Sequence, residues 1–301
     1  MKIRIGTRKS PLALFQAAKV SKILTANNFE NEIISSDSDG DLNEKPLHEI
    51  GGKGVFISKL ETSLEKLEID IAVHSLKDVP SQIENNFTIC GVLERENPGD
   101  IFISKKISNL DELANNTFEI GTSSPRRASQ LLEKYPETRL KPIRGNIETR
   151  IDKLKDGQFD GIIMAKAAIN RLNLDLTEFN VFEIDFMIPA ASQGYIGIEC
   201  LSSNDEIIKI FKNLTSDKDM AIANAERNFV ASMDGECLSP ISILIKETKK
   251  NNLLIKAKVS CMDGSVSIYS EEISDYKNLD DHISKLSEYF IENNAKEIIR
   301  R

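Results

Sequence analysis

Two separated stretches of this chain repeat one plan, and that echo limits the fold more than any other feature. IRIGTRKSPLALFQ (Ile3–Gln16) and FEIGTSSPRRASQ (Phe118–Gln130) share an apolar strand, a Gly-Thr pair, a hydroxyl-rich turn, a proline and basic residues. The proline suits the first helical turn, where its missing N–H costs nothing. A second pair follows the same logic: IDIAVHS (Ile69–Ser75) and FDGIIMA (Phe159–Ala165) each follow an acidic-leaning helix. Short apolar runs of this kind are strands buried on both faces. Tandem α/β units are therefore expected, each placing a helix N-terminus at the edge of a shared cleft, where ligands are commonly bound.

Within this plan Ile69–Pro80 (IDIAVHSLKDVP) stands out. A buried strand passes at once into His74, Ser75, Lys77 and Asp78, and Val79-Pro80 stops any regular element. Open α/β sheets meet their ligands at such carboxyl ends of strands. The other reading is a turn whose aspartate bonds local backbone. At the first helix start, Ser10 can cap and Arg8 lies beside the free N–H groups, which makes an anion site or an ordinary capped helix.

Elsewhere the pattern predicts helices over Leu12–Leu24, Phe56–Leu67, Ile147–Lys155, Asp217–Met233 and Leu279–Asn293. It predicts strands over Glu32–Ser35, Phe87–Leu93 and Lys141–Gly145, and three more at hairpin-like spacing, Ile241–Lys246, Leu253–Ser260 and Val266–Glu271. Asn97-Pro98-Gly99 punctuates the chain as a crossing into a second domain, and Ala190–Glu199 reads as a crossing back. Gly51-Gly52-Lys53-Gly54 lacks the spacing of a Walker loop.

The formal net charge of −8 argues against a general nucleic-acid binder. No run approaches a membrane span, and MKIRIGTRKSPLAL lacks a signal-peptide apolar region. The four cysteines and three histidines are scattered in neither a zinc pattern nor a disulfide framework. A reduced, cytoplasmic protein is expected. Inside it, Arg8, Arg126, Arg127, Arg144, Arg150 and Arg171 fall near predicted element ends, with Lys53 and Lys77. Guanidinium groups suit carboxylates and phosphates, so these cations suggest a polyanion site. Asp78 would be the proton-handling group among them, and a loop thiol could carry a covalent group.

IRIGTRKSPLALFQ, HSLKDVP, IGTSSPRR, IRGNIETR, SQGYIGIE and the loop cysteine of GECLSPI occur in one order along the chain. In this the sequence resembles the porphobilinogen deaminase (hydroxymethylbilane synthase) family over nearly its whole length. The resemblance implies two type II periplasmic-binding-protein-like α/β domains plus a smaller C-terminal α+β domain with a three-stranded sheet. The expected boundaries are 1–95 with 193–214, 96–192, and 215–301. It implies a monomeric enzyme of tetrapyrrole and heme biosynthesis with a dipyrromethane cofactor on Cys237 through a thioether. Four porphobilinogens would be added head to tail, each losing ammonia, and water would release the linear hydroxymethylbilane. The partners are then porphobilinogen and the growing oligopyrrole chain, with no nucleic acid, membrane or metal.

By the same resemblance Asp78 matches the catalytic aspartate, which stabilises a methylene pyrrolenine cation and assists proton transfer. Ser75, Lys77, Thr122, Ser123, Ser124, Arg126, Arg127, Arg144, Gly145, Gln193 and Gly194 match cofactor contacts. Arg8, Ser10, Arg150, Arg171 and Lys53 match substrate contacts. Some positions depart from the family pattern. Glu236 replaces a glycine before Cys237, Gly99 an arginine, Glu49 a lysine and Ala168 a glycine, and Ser242 is a mild change. The loss at Gly99 is expected to weaken an ion pair near the hinge. The competing class is a non-catalytic two-lobed anion-binding protein, which leaves the third-domain cysteine unexplained.

Overall fold

The computed structural model describes residues 2–36, 58–235, 238–249 and 252–301. β1 (Lys2–Arg8) turns into α1 (Pro11–Ala26), followed by β2 (Glu30–Ser36), α2 (Ser58–Glu65), β3 (Ile71–Ser75), a 3-10 turn Leu76–Asp78 and β4 (Phe87–Leu93). Next come β5 (Asp100–Ser104), a 3-10 turn Leu110–Ala114, β6 (Glu119–Gly121), α3 (Pro125–Lys134), β7 (Arg139–Lys141), α4 (Ile147–Lys155), β8 (Gly161–Ala165), α5 (Lys166–Leu172) and β9 (Asn180–Glu183). The chain continues through β10 (Ile196–Leu201), α6 (Asp205–Leu214), α7 (Asp217–Ser232), β11 (Ile241–Glu247), β12 (Asn252–Ser260), β13 (Ser267–Asp275), α8 (Leu279–Glu292) and α9 (Ala295–Ile299).

The chain divides into two compact units, 1–96 with 194–223, and 97–193 with 224–301. The first holds a five-stranded sheet in the order β2-β1-β3-β10-β4. β1 runs parallel to β2 and β3, while β10 runs antiparallel to β3 and β4. Alternation along the strands sends Ile3, Ile5, Ile71, Val73, Ile196 and Ile198 to one face. There they meet Ala17, Val20 and Leu24 of α1 and Ile207 and Phe211 of α6. The opposite face carries Ala72 against Leu60 and Leu64 of α2. Each fully buried aliphatic side chain contributes about 1.5–3 kcal/mol.

The second unit contains a five-stranded sheet, β7-β6-β8-β5-β9, and a three-stranded sheet, β11-β12-β13. The larger sheet repeats the first: β6 is parallel to β7 and β8, and β5 is antiparallel to β8 and β9. The two echoes of the sequence thus become the same pair of central strands, β1/β3 and β6/β8. The glycines of the Gly-Thr pairs have matching reasons. A Cβ on Gly6 would come within 2.2 Å of Ile69 Cδ1, and one on Gly121 within 2.9 Å of the Phe159 ring. The small sheet is antiparallel throughout, and Phe229 of α7 meets Phe290 of α8 edge-on at 5.1 Å. Its β12–β13 hairpin lies on α3. Lys258 and Ser267 both bond Glu133, and Gly264 at φ +74° leaves no room for a Cβ beside the Ser129 carbonyl.

Several expectations change. The strand expected over Lys141–Gly145 ends at Lys141, because Pro142 cannot donate and Gly145 takes φ +108°. The run from Ile69 enters the sheet only at Ile71. β5, β9, α6 and α9 were not anticipated. β5 (DIFIS) is buried throughout, and its start beside Asn97-Pro98-Gly99 masked it as punctuation.

Candidate functional site

In the first unit, β1 and β3 end together at one edge of the sheet, since Ile5 pairs with Ile71 and Gly6 with Ala72. Ser10 lies beyond β1 and caps α1 with its Oγ, 3.4 Å from the Ala13 N–H. Arg8 is half-buried beside it. Beyond β3 the 3-10 turn is held by its apolar members. Leu76 is 1 % exposed and its N–H donates to the Tyr195 carbonyl at 3.1 Å. Val79 is buried and donates back to the Leu76 carbonyl at 3.1 Å. With Leu76 and Val79 facing inward, the residues between them are turned out: Lys77 is half-buried and the Asp78 carboxylate is exposed. Gln16 ties the helix to this corner by donating its Nε2 to Ser75 Oγ at 2.7 Å. Five expected residues, Arg8, Ser10, Ser75, Lys77 and Asp78, therefore share one sheet edge. Gly194 belongs to the same unit, where φ is +98° and a Cβ would fall 2.3 Å from the Glu96 carbonyl. No other residue type fits there without strain.

In the second unit, β6 delivers Thr122, Ser123 and Ser124 to the start of α3. Ser124 caps it through the Arg127 N–H, Thr122 Oγ1 accepts from Ser124 N at 3.2 Å, and Ser123 Oγ bonds the Ile143 backbone at 2.8 and 3.0 Å. Ile143 is anchored in the core, so the next residue, Arg144, is half-exposed. Gly145 then turns the chain, Asn146 caps α4, and Arg150 Nε returns to the Gly145 carbonyl at 2.9 Å. Arg171 is buried in the last turn of α5.

Arg126, Arg127 and Gln193 meet a partner that was not singled out from the sequence. All three converge on Asp100, which is 2 % exposed. Arg126 Nη1 donates to Oδ2 at 2.7 Å, Arg127 Nη2 and Nε to Oδ1 at 2.8 and 3.1 Å, and Gln193 Nε2 to Oδ1 at 3.0 Å. Arg126 also donates to the Ile188 carbonyl and Arg127 to that of Ile163. Asp100 is thus the hub of a buried node. The signal available in the sequence was an acid opening an otherwise apolar strand. Such a group survives burial only when paired and hydrogen-bonded.

Two buried guanidiniums against one carboxylate leave positive charge in excess within this node. Burial already draws the Arg126 pKa below its ordinary value, with Asp100 opposing and Arg127 adding to the shift. An acid brought close would relieve that imbalance, so the donor set fits a carboxylate-bearing group. Among the described residues no cluster of histidine, cysteine, aspartate or glutamate could hold a metal ion, and no helix is long and apolar enough to cross a membrane. Cys237, Glu236, Lys53 and Glu49 lie outside the described residues.

A family model described as "Porphobilinogen deaminase, dipyromethane cofactor binding domain" matches residues 3–209. Among curated relatives, a Porphobilinogen deaminase of Campylobacter hominis is 40% identical over 307 residues, covering 100% of this chain and 98% of its own. Another, from a Nitratiruptor species, is 36% identical over 304 residues, covering 100% and 97%. Among solved structures, the second substrate binding domain of a putative amino acid ABC transporter from Streptococcus pneumoniae is 13% identical, with a TM-score of 0.46. That match covers 77% of this chain and 98% of the other.

Proposed function

The chain belongs to the porphobilinogen deaminase family, and from that premise we propose how its residues divide the family's reaction among them. The chain is a transferase of tetrapyrrole biosynthesis that condenses four porphobilinogens head to tail with loss of ammonia and releases hydroxymethylbilane by hydrolysis. The non-catalytic anion-binding reading is not favoured beside full-length relatives of that name. The observation that carries the residue assignment is the 3-10 corner at the end of β3, which turns one carboxylate outward while its apolar neighbours hold it rigid.

In this reading Asp78 is the catalytic residue. Ammonia leaves an aminomethylpyrrole with positive charge building on the ring and its methylene carbon. A fixed carboxylate facing the pyrrole N–H stabilises that charge, then takes up the proton released when the new carbon–carbon bond restores the aromatic ring. Each ring brings two acids, and the cations answer them. Arg8, Ser10, Lys53, Arg150 and Arg171 are assigned to substrate. Ser75, Lys77, Thr122, Ser123, Ser124, Arg126, Arg127, Arg144, Gly145, Gln193 and Gly194 are assigned to the dipyrromethane. Bound as a thioether on Cys237, that group supplies the terminal pyrrole carbon on which the chain is extended. The excess cation around Asp100 supports the placement of Arg126 and Arg127 near its acids. The three-domain division at 1–95 with 193–214, 96–192 and 215–301 is part of the proposal, supported by the three separate sheets. So are a monomeric state and a cytoplasmic setting.

Intact mass tests the cofactor assignment. The purified protein is expected to exceed its sequence mass by one dipyrromethane, with the adduct mapping to Cys237. An unmodified thiol in active enzyme would overturn it.

A further inference from the structure

The face of the first sheet opposite its main core carries a charged cluster that the reaction does not use. His74 and Glu199 lie on neighbouring antiparallel strands, 7 % and 0 % exposed, with His74 Nε2 2.9 Å from Glu199 Oε2. The other carboxylate oxygen, Oε1, is equally buried and meets no hydrogen-bond donor among the described residues. α2 packs on β1, β3 and β10, seating Leu60 and Leu64 in the core beside Ala72. Between those leucines, Glu61 is half-buried, and the charges of Glu199 and His74 both act on it. A buried carboxylate oxygen without a donor is costly, and a second ionised carboxylate beside it would be costlier.

We propose that a protonated Glu61 closes on the buried His74–Glu199 pair and so clamps α2 onto the strands that present the Ser75–Asp78 corner. The geometry supplies each part. His74 Nε2 occupies one oxygen of Glu199, at 2.9 Å. The second oxygen is left for a neutral acid, met directly or through one water. The groups acting on Glu61 are consistent with a retained proton. Burial contributes most, then the charges of Glu199 and Glu84, against His74, with Glu65 adding on the same helix; together they push its pKa up to about 7. His74 immediately precedes Ser75, and β10 also supplies the strand whose lead-in holds Leu76. Glu61, His74 and Glu199 are thus positioning residues for the corner, which ties the consequence for turnover to the functional reading above.

The sign is definite. Glu61 keeps its proton in the fold to about pH 7 but loses it near 4.5 when unfolded. The folded state binds more protons across that window, so stability falls as pH rises through it. Glu61→Gln keeps a neutral donor and cannot ionise. Its Tm is expected to stay flat across the window where the wild type declines, and the alkaline fall of turnover should move up by about one pH unit or more. Glu61→Ala, which supplies no donor, should lose the clamp and raise KM more than it lowers kcat. The thermal arm needs no substrate, so it separates failure of the cluster from failure of the enzymatic reading. A Glu61→Gln variant with the wild-type dependence of Tm on pH, or one indistinguishable from Glu61→Ala, would overturn the proposal.

Discussion

In the first sheet Asp70 stands just ahead of β3, and its carboxylate accepts the Arg4 N–H at 2.7 Å; in the second, Asp160 stands just ahead of β8 and accepts the Glu119 N–H at 2.9 Å. Each aspartate also donates its own N–H back to the same neighbour, at 2.9 Å in both halves. The two sheets therefore start their central strands by one device. They differ at the other end. β3 closes in a 3-10 turn that exposes Asp78, whereas β8 runs directly into α5 with Lys166, Ala167 and Ala168. The basic residues after β6 turn inward onto Asp100, while Arg8 at the end of β1 stays half-exposed. Even the antiparallel strand has a different origin. β10 comes late in the chain to fill, in the first sheet, the place that β5 fills at the beginning of the second half. A shared frame has thus been given opposite chemistry at corresponding strand ends, an exposed acid in one and braced cations in the other.

That contrast is most exposed at Asp78. Asp78→Asn should cut turnover by about 10²–10⁴-fold. Its stability should stay within about 0.5 kcal/mol of wild type, since the side chain is exposed. Steady-state rates beside thermal melts would show this, and near-normal turnover would remove Asp78 from the chemistry. Asp100→Asn should act first on the fold, lowering stability by about 3 kcal/mol because two buried guanidiniums lose their counter-charge. Denaturant unfolding of this variant decides whether the node braces the second half. A loss inside about 0.5 kcal/mol would mean it does not.

The shared frame makes the finest test. Burial acts to raise the pKa of Asp70 and of Asp160, but the bonds from Arg4 to the first, and from Lys106 and the Glu119 N–H to the second, outweigh it. Both are held below their ordinary 3.8. Their stabilisation is complete above that value and is lost as acid protonates them through the lowered folded pKa. Asp70→Asn and Asp160→Asn should each cost about 1 kcal/mol at neutral pH and flatten the acid limb of stability. Asp70 should show the larger effect, as its guanidinium partner makes two side-chain bonds, at 3.0 and 2.7 Å. Unequal acid limbs in the opposite order would break the parallel between the halves.

Local information carried much of this. Ser10 and Pro11 announced α1, Ser124 and Pro125 announced α3, and the paired Gly-Thr turns announced two similar sheets, because caps, breakers and strand alternation act over a few residues. The Asp78 corner was equally legible, since an apolar strand, a polar turn and Val-Pro lie side by side. Strand order was not. β10 inserts between β3 and β4 from far along the chain, and β5 hid inside a stretch that reads as a boundary. Partner choice was not legible either. Arg126 and Arg127 look from sequence like free anion binders, yet they turn inward to Asp100, and His74 finds Glu199 across 125 residues. The sequence alone determined most of the segments that become strands, helices and turns, though not β5, β9, α6 or α9, together with the family resemblance. Only the tertiary structure decided which charges are exposed and which are spent on one another. Burial makes an unpaired charge too costly to keep, and which groups are buried together depends on how distant segments pack.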